Sequence, residues 1–176
     1  PVTLEYKTAK KQFQEILDAI NRLKDTNIIF TKSNSDTDGK IINFMIDKFV
    51  NKNPDKSVGF ASLGHLKYLS ALQYVDVVVG NSSSGILEAP SFKIGTINIG
   101  DRQKGRIKAK SVIDCLPNSK SIKKAFIKLY SKKFQEQLKK VKNPYGDKSA
   151  SKQIIKVIKK INLNNILKKK FYNLTV

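Results

Sequence analysis

The stretch DVVVGNSSSGILEAPSFKIGTINIGDRQKGR, residues 76–106, decides how the chain is read. An apolar run, Val77, Val78 and Val79, stops at Gly80-Asn81-Ser82-Ser83-Ser84-Gly85. A short helix-compatible segment follows, then a second strand-like run over residues 96–99. Strand, small-residue turn and helix start, in that order, set unpaired backbone N–H groups and a partial positive charge beside hydroxyl side chains, which favours a phosphate. Ser, Asn and Gly also build ordinary turns, so the stretch alone fits either a phosphate site or a purely structural turn.

Toward the N-terminus, residues 8–24 carry Phe13, Ile16, Leu17, Ile20 and Leu23 at helical spacing, and a second helix turns Ile41, Ile42, Met45, Ile46 and Phe49 inward. Residues 27–31 (NIIFT) read as a buried strand running into the polar loop 32–39. Pro54 breaks the pattern, residues 56–60 supply another strand, and Leu63-Gly64 turns the chain into a helix through Leu66, Leu69, Ala71 and Leu72.

Toward the C-terminus, residues 111–115 form a last strand, and Asn118 caps a helix carrying Ile122, Phe126 and Leu129 inward. Residues 143–146 mark a turn. Ser149 caps a further helix with Ile154, Ile155, Ile158 and Ile161, and residues 163–174 continue as a basic, Asn-interrupted helical tail. Short apolar strands alternating with helices predict an α/β fold, a Rossmann-like parallel sheet with helices on both faces. Ligands of such sheets bind beyond the carboxyl ends of the strands, which here gathers the loops after Thr31, Phe60, Val79 and Ile99. These loops are the richest in Ser, Asn, Gly, Asp and Arg, which favours the phosphate reading of the opening stretch.

Composition narrows the classes. The chain has 176 residues and 40% hydrophobic residues, enough for one core and a soluble globular domain. No apolar run approaches the roughly 20 residues that span a bilayer, and no signal segment opens the chain, so a cytoplasmic location is expected. Cys115 is the single cysteine and lies among Val112, Ile113 and Leu116, which reads as a buried, inert thiol without metal or disulfide. The net charge of +20 invites a polyanion partner. Among 34 lysines and arginines, however, only Arg22, Arg102 and Arg106 are arginine, and no basic stripe is interleaved with aromatics. Neither nucleic acid nor membrane is expected as a partner.

The run GNSSSGILEAPSF, then GTINIGDRQKGR, together with TKSNSDTDGK and the opening PVT, resembles the hydrolysing UDP-N-acetylglucosamine 2-epimerases of sialic-acid-type sugar biosynthesis. The likeness covers almost the whole chain and resembles the C-terminal half of that family. It implies that residues 1–176 form the C-terminal nucleotide-binding domain of a two-domain GT-B enzyme, with residues 149–176 as a basic tail. An absent N-terminal domain would complete the cleft, and the whole protein would be a homodimer needing no cofactor or metal. The family places a histidine directly before the matched Pro1-Val2-Thr3, so the chain is expected to be a fragment that begins one residue after it.

Carried over residue by residue, the resemblance assigns Ser82 and Ser83 to the diphosphate, with Ser84 and Gly85 completing the turn. Glu88 matches the glutamate that holds the ribose hydroxyls, although its position also suits an acid in a first helical turn. Arg102 matches an arginine near the diphosphate, and Arg106 closes the same loop, while Lys104 faces solvent. Tyr68 falls where an aromatic ring meets uracil, or is an ordinary half-buried helix residue. Leu63 and Gly64 fall at the edge of the base, and Asn34 near the nucleotide. Asp36 and Asp38 read as turn-forming acids and His65 as structural.

The implied reaction eliminates UDP from the sugar to give a glycal-type intermediate and then adds water, yielding N-acetylmannosamine or a related sugar. The catalytic carboxylates belong to the N-terminal domain. The fragment alone is expected to be inactive. Two alternatives remain, a GT-B glycosyltransferase domain and a lysine-driven polyanion-binding module.

Overall fold

The computed structural model describes residues 8–33, 38–146 and 149–164. They belong to two compact units, Pro1–Tyr145 and Gly146–Val176. The first contains α1 (Ala9–Asn21), β1 (Ile28–Thr31), α2 (Gly39–Lys52), β2 (Ser57–Phe60), α3 (Gly64–Ala71), β3 (Val77–Gly80), α4 (Ser84–Leu87), a 3₁₀ turn (Ala89–Phe92), β4 (Gly95–Ile99), β5 (Val112–Cys115), α5 (Ser119–Leu129) and α6 (Lys132–Lys139). The second contains α7 (Ala150–Lys160).

Among the described residues every strand pairing is parallel, as strands joined by crossover connections require. Ile28 of β1 stands opposite Ser57 of β2. β4 lies between β3 and β5, with Val77 opposite Gly95 and Thr96 opposite Val112. The pairings form one ladder of two strands and one of three, with none joining them among the described residues. One core nevertheless serves both ladders: Ile28 and Phe30 of β1 and Val77 and Val79 of β3 pack with Leu17 and Ile20 of α1 and Ile122, Phe126 and Leu129 of α5.

β4 is buried at all five residues because helices cover both of its faces. Side chains alternate along a strand. Gly95, Ile97 and Ile99 face α5, and a Cβ on Gly95 would come 2.1 Å from Leu129 Cδ1. Thr96, on the opposite face, touches Gly85 of α4. Complete burial of Ile97 and Leu129 contributes about 1.5–3 kcal/mol each. α5 begins as expected, with Asn118 Oδ1 accepting from Ser121 N at 2.8 Å. The Glu15 carboxylate of α1 accepts from Ser119 N at 2.7 Å, adding a negative charge at the same helix start.

Several expectations change. Ile41 is 37% exposed rather than turned inward, and β1 is not buried throughout, since its side chains alternate and Ile29 is 47% exposed. The helix after Asn118 ends at Leu129, and Ser131 Oγ accepts from Phe134 N to start α6. Ser149 makes no side-chain cap to α7; its Oγ accepts from the Gln153 side chain instead. α7 stops at Lys160, and Asn162 Oδ1 accepts from Asn164 N at 2.9 Å, a local bond that competes with helix. The helical tail therefore does not continue over residues 163–164, and residues 165–176 lie outside the described residues. Ile154, Ile155, Ile158 and Ile161 are exposed. Among the described residues, no helix is long and apolar enough to cross a membrane.

Candidate functional site

Three segments that follow parallel strands meet around the turn after β3. Ser82 Oγ accepts from Ser84 N at 3.3 Å, and Ser83 heads α4 without a side-chain cap bond. α4 is a single turn, so little macrodipole accumulates, and the turn's donors are its hydroxyls and the leading N–H groups. Gly85 fixes where this turn sits. It is buried against β4, Thr96 Oγ1 donates to its C=O at 2.7 Å, and a Cβ there would lie 2.6 Å from Thr96 Cγ2. Only glycine permits that approach. Asn143 Nδ2 holds the other end of α4, donating at 2.7 Å to Leu87 C=O and at 2.7 Å to Ser91 Oγ.

α3 brings the second segment. Tyr68 Oη and Ser84 Oγ share a hydrogen bond. Burial pushes the Tyr68 hydroxyl pKa up, the bond to Ser84 opposes this, and the Glu88 charge adds to the rise, so the phenol keeps its proton at neutral pH. Glu88, half-buried at the end of α4, makes no side-chain hydrogen bond or ion pair among the described residues. Leu63 and Gly64 lie where α3 starts; Gly64 adopts φ +63°, and its N–H donates to Ser62 Oγ at 3.1 Å.

The loop after β4, residues 100–108, is the third segment. Gln103 is 2% exposed, and its Nε2 donates to Asn81 C=O at 2.8 Å, directly before the serines. Its Oε1 is buried without a partner among the described residues. Farther along, Tyr145 Oη donates to Ile107 C=O at 3.0 Å and Lys108 Nζ pairs with Asp114 Oδ1 at 2.8 Å. Asn98 Nδ2 reaches the same oxygen at 2.6 Å. Burial raises the Asp114 pKa, but its bonds to Lys108 and Asn98 and the Lys108 charge together hold it below the ordinary aspartate range. Arg102 and Arg106 flank Gln103, are exposed, and have no side-chain partner among the described residues.

The structure thus brings together Tyr68, Ser82, Ser83, Ser84, Gly85 and Glu88, and ties the loop of Arg102 and Arg106 to them through Gln103. Asn34 and Asp36 lie outside the described residues; Asp38 precedes α2. Lys104 is exposed as expected. His65 is also exposed, with no partner among the described residues, so it does not hold the fold together. Cys115 is half-buried rather than buried; burial and the Asp114 charge push its thiol up to about 11, which leaves it unreactive.

The sequence did not single out Gln103 or Asn43, and it marked Asn143 and Tyr145 only as part of a turn over residues 143–146. Asn43 of α2 accepts from Ser33 N at 2.8 Å and donates to Ser33 C=O at 3.2 Å, fixing the chain just beyond β1. The available signal was an amide on the apolar face of α2 and another between two arginines. A cleft of about 360 Å³ opens between residues 100–108 and the end of β5, reaching Lys104, Lys108 and Cys115. A larger one of about 410 Å³ between α1 and α2 contains no candidate residue.

The family model described as UDP-N-acetylglucosamine 2-epimerase matches residues 1–159. A Campylobacter jejuni protein named GDP/UDP-N,N'-diacetylbacillosamine 2-epimerase (hydrolyzing) is 43% identical over 99% of this chain and 45% of its own length. The Escherichia coli polysialic acid biosynthesis protein P7 is 36% identical over 90% of this chain and 40% of its own length. The chain therefore spans less than half the length of these relatives. Among solved structures, the S. aureus MnaA-UDP co-structure matches 92% of this chain and 43% of its own with TM-score 0.70 at 19% identity. The Methanocaldococcus jannaschii UDP-GlcNAc 2-epimerase in complex with UDP-GlcNAc and UDP matches 85% of this chain and 41% of its own with TM-score 0.66 at 20% identity. At such identities these structures speak for the shared fold.

Proposed function

Because this chain belongs to the UDP-N-acetylglucosamine 2-epimerase family, we propose that it forms the nucleotide-binding part of a hydrolysing 2-epimerase acting on a nucleoside-diphosphate N-acetylated amino sugar. One observation carries the reading. The turn after β3 receives Tyr68 from α3 and is joined to residues 100–108 by Gln103, while the carboxylate of Glu88 and the guanidinium groups of Arg102 and Arg106 are uncommitted among the described residues.

In this proposal the diphosphate lies on the turn. Ser82 accepts a bond from Ser84 N, so its own hydroxyl hydrogen is available to a phosphate oxygen, as is that of Ser83. Arg102 and Arg106 approach from the neighbouring loop with planar donor forks suited to phosphate. Glu88 accepts from the ribose hydroxyls, and Tyr68, with Leu63 and Gly64, borders the base. Elimination passes the C2 proton to a carboxylate of the N-terminal domain, forms the C1–C2 double bond from that C–H pair and breaks the anomeric C–O bond, whose electron pair stays on the diphosphate. Serines and arginines stabilise that growing charge more in the transition state than in the bound substrate. The glycal-type intermediate then takes up water. The proton-transfer carboxylates come from the N-terminal domain.

The sugar is proposed to be UDP-N-acetylglucosamine or its diacetylbacillosamine counterpart, the latter supported by the name of the Campylobacter jejuni relative. That name includes both GDP and UDP, so both bases enter the test. The whole protein is proposed to be a cytoplasmic homodimer in sialic-acid-type sugar biosynthesis, a role in keeping with the name of the Escherichia coli relative. Full-length protein incubated with each nucleotide sugar and no acceptor should release UDP or GDP and a free 2-epimerised sugar. No release without an acceptor would overturn the reading in favour of a transferase.

A further inference from the structure

We propose that Gln103 is a positioning residue: its bond to Asn81 sets the spacing between the serine turn and the arginines of residues 100–108, and with it the grip on the diphosphate. The inference rests on the reading that this turn holds a nucleoside diphosphate. Gln103 is almost wholly buried in a loop whose neighbours Arg102, Lys104 and Arg106 are exposed. Its Nε2 donates to Asn81 C=O at 2.8 Å, while its Oε1 has no partner among the described residues.

For stability alone this is a poor choice, because a buried acceptor left unpaired is costly and an apolar side chain of similar length would fill the space without that cost. What the amide supplies is the link itself. Tyr145 and Lys108 hold the far end of the loop, at Ile107 and Asp114. Among the described residues, Gln103 makes the one hydrogen bond between this loop and the turn at residues 81–83. Arg102 precedes it and Arg106 follows three residues later, so both cations are registered against Ser82 and Ser83 by that bond. Asn81 C=O accepts, so the carboxamide must present its NH₂ there and its oxygen elsewhere. An ionised phosphate has no hydrogen to offer that oxygen. Gln103 therefore acts through the arginines.

The test measures UDP and uridine affinities of the full-length protein. In Gln103→Met, UDP binding should weaken about tenfold while uridine binding stays within about twofold, because only the charge-assisted contacts lose their register. Gln103→Glu should behave alike, since a carboxylate cannot donate to Asn81 C=O, and it carries the same readout if the methionine variant does not fold. Adding Gln103→Met to Arg102→Ala should cost less than about half the logarithmic loss seen in the wild-type background, as expected for residues acting together. Unchanged UDP affinity, equal losses for UDP and uridine, or additive losses would each overturn the inference. A wild type that binds neither UDP nor GDP would overturn it together with the function proposed above.

Discussion

Gly85 shows how closely the candidate site is fitted to the sheet. Gly85→Ala places a methyl 2.6 Å from Thr96 Cγ2 in a buried contact and should destabilise the protein by about 1–3 kcal/mol. Thr96→Ser removes the clashing methyl but keeps a hydroxyl for Gly85 C=O, so the double variant should regain most of the loss in urea unfolding. A double variant no more stable than Gly85→Ala would show that the contact is not the cause. Asp114 supplies a pH-dependent case. Its carboxyl is held below the ordinary aspartate range, so the stabilisation is complete well above that range and is lost as pH falls through the lower folded-state pKa. The gap in unfolding free energy between wild type and Asp114→Asn should be flat above about pH 5 and close in acid. It should stay below about 1 kcal/mol because the aspartate side chain is 57% exposed. The turn that carries the serines was legible because small hydroxyl residues after an apolar run carry a local signal. Gln103 and Asn43 were not, because an amide meeting a distant backbone group leaves no periodicity in the sequence.

At the scale of elements, the strands were the easiest to read, most plainly at β1 and β3, where Ile28–Phe30 and Val77–Val79 are short apolar runs between polar or small residues. The division into two ladders was not legible, because pairing between segments depends on packing beyond either segment. One helix start was legible from the residue that caps it, Asn118 of α5. Asn118→Ala should cost about 1 kcal/mol by removing the bond to Ser121 N, measured as a lower urea midpoint without a change in slope. Glu15 remains at the same helix start and limits the loss. The break between α5 and α6 escaped notice, as Ser131 had no flanking breaker to mark it.

For the molecule as a whole, the charge of +20 and the two arginines beside the serine turn imply that nucleotide affinity falls as salt rises. UDP titrations at low and high ionic strength check this; affinity independent of salt would contradict it. Residues 1–176 expressed alone should bind UDP weakly and form no product from UDP-N-acetylglucosamine, and any turnover would refute the division of labour proposed here. β4 lends itself to one more use. Its backbone is laddered on both edges and its side chains are covered on both faces. The amides of Ile97 and Ile99 should therefore exchange with deuterium only when the entire domain opens. They supply an internal clock: nucleotide that slows exchange in residues 100–108 more than in β4 is quieting the loop, whereas equal slowing reports stabilisation of the whole fold.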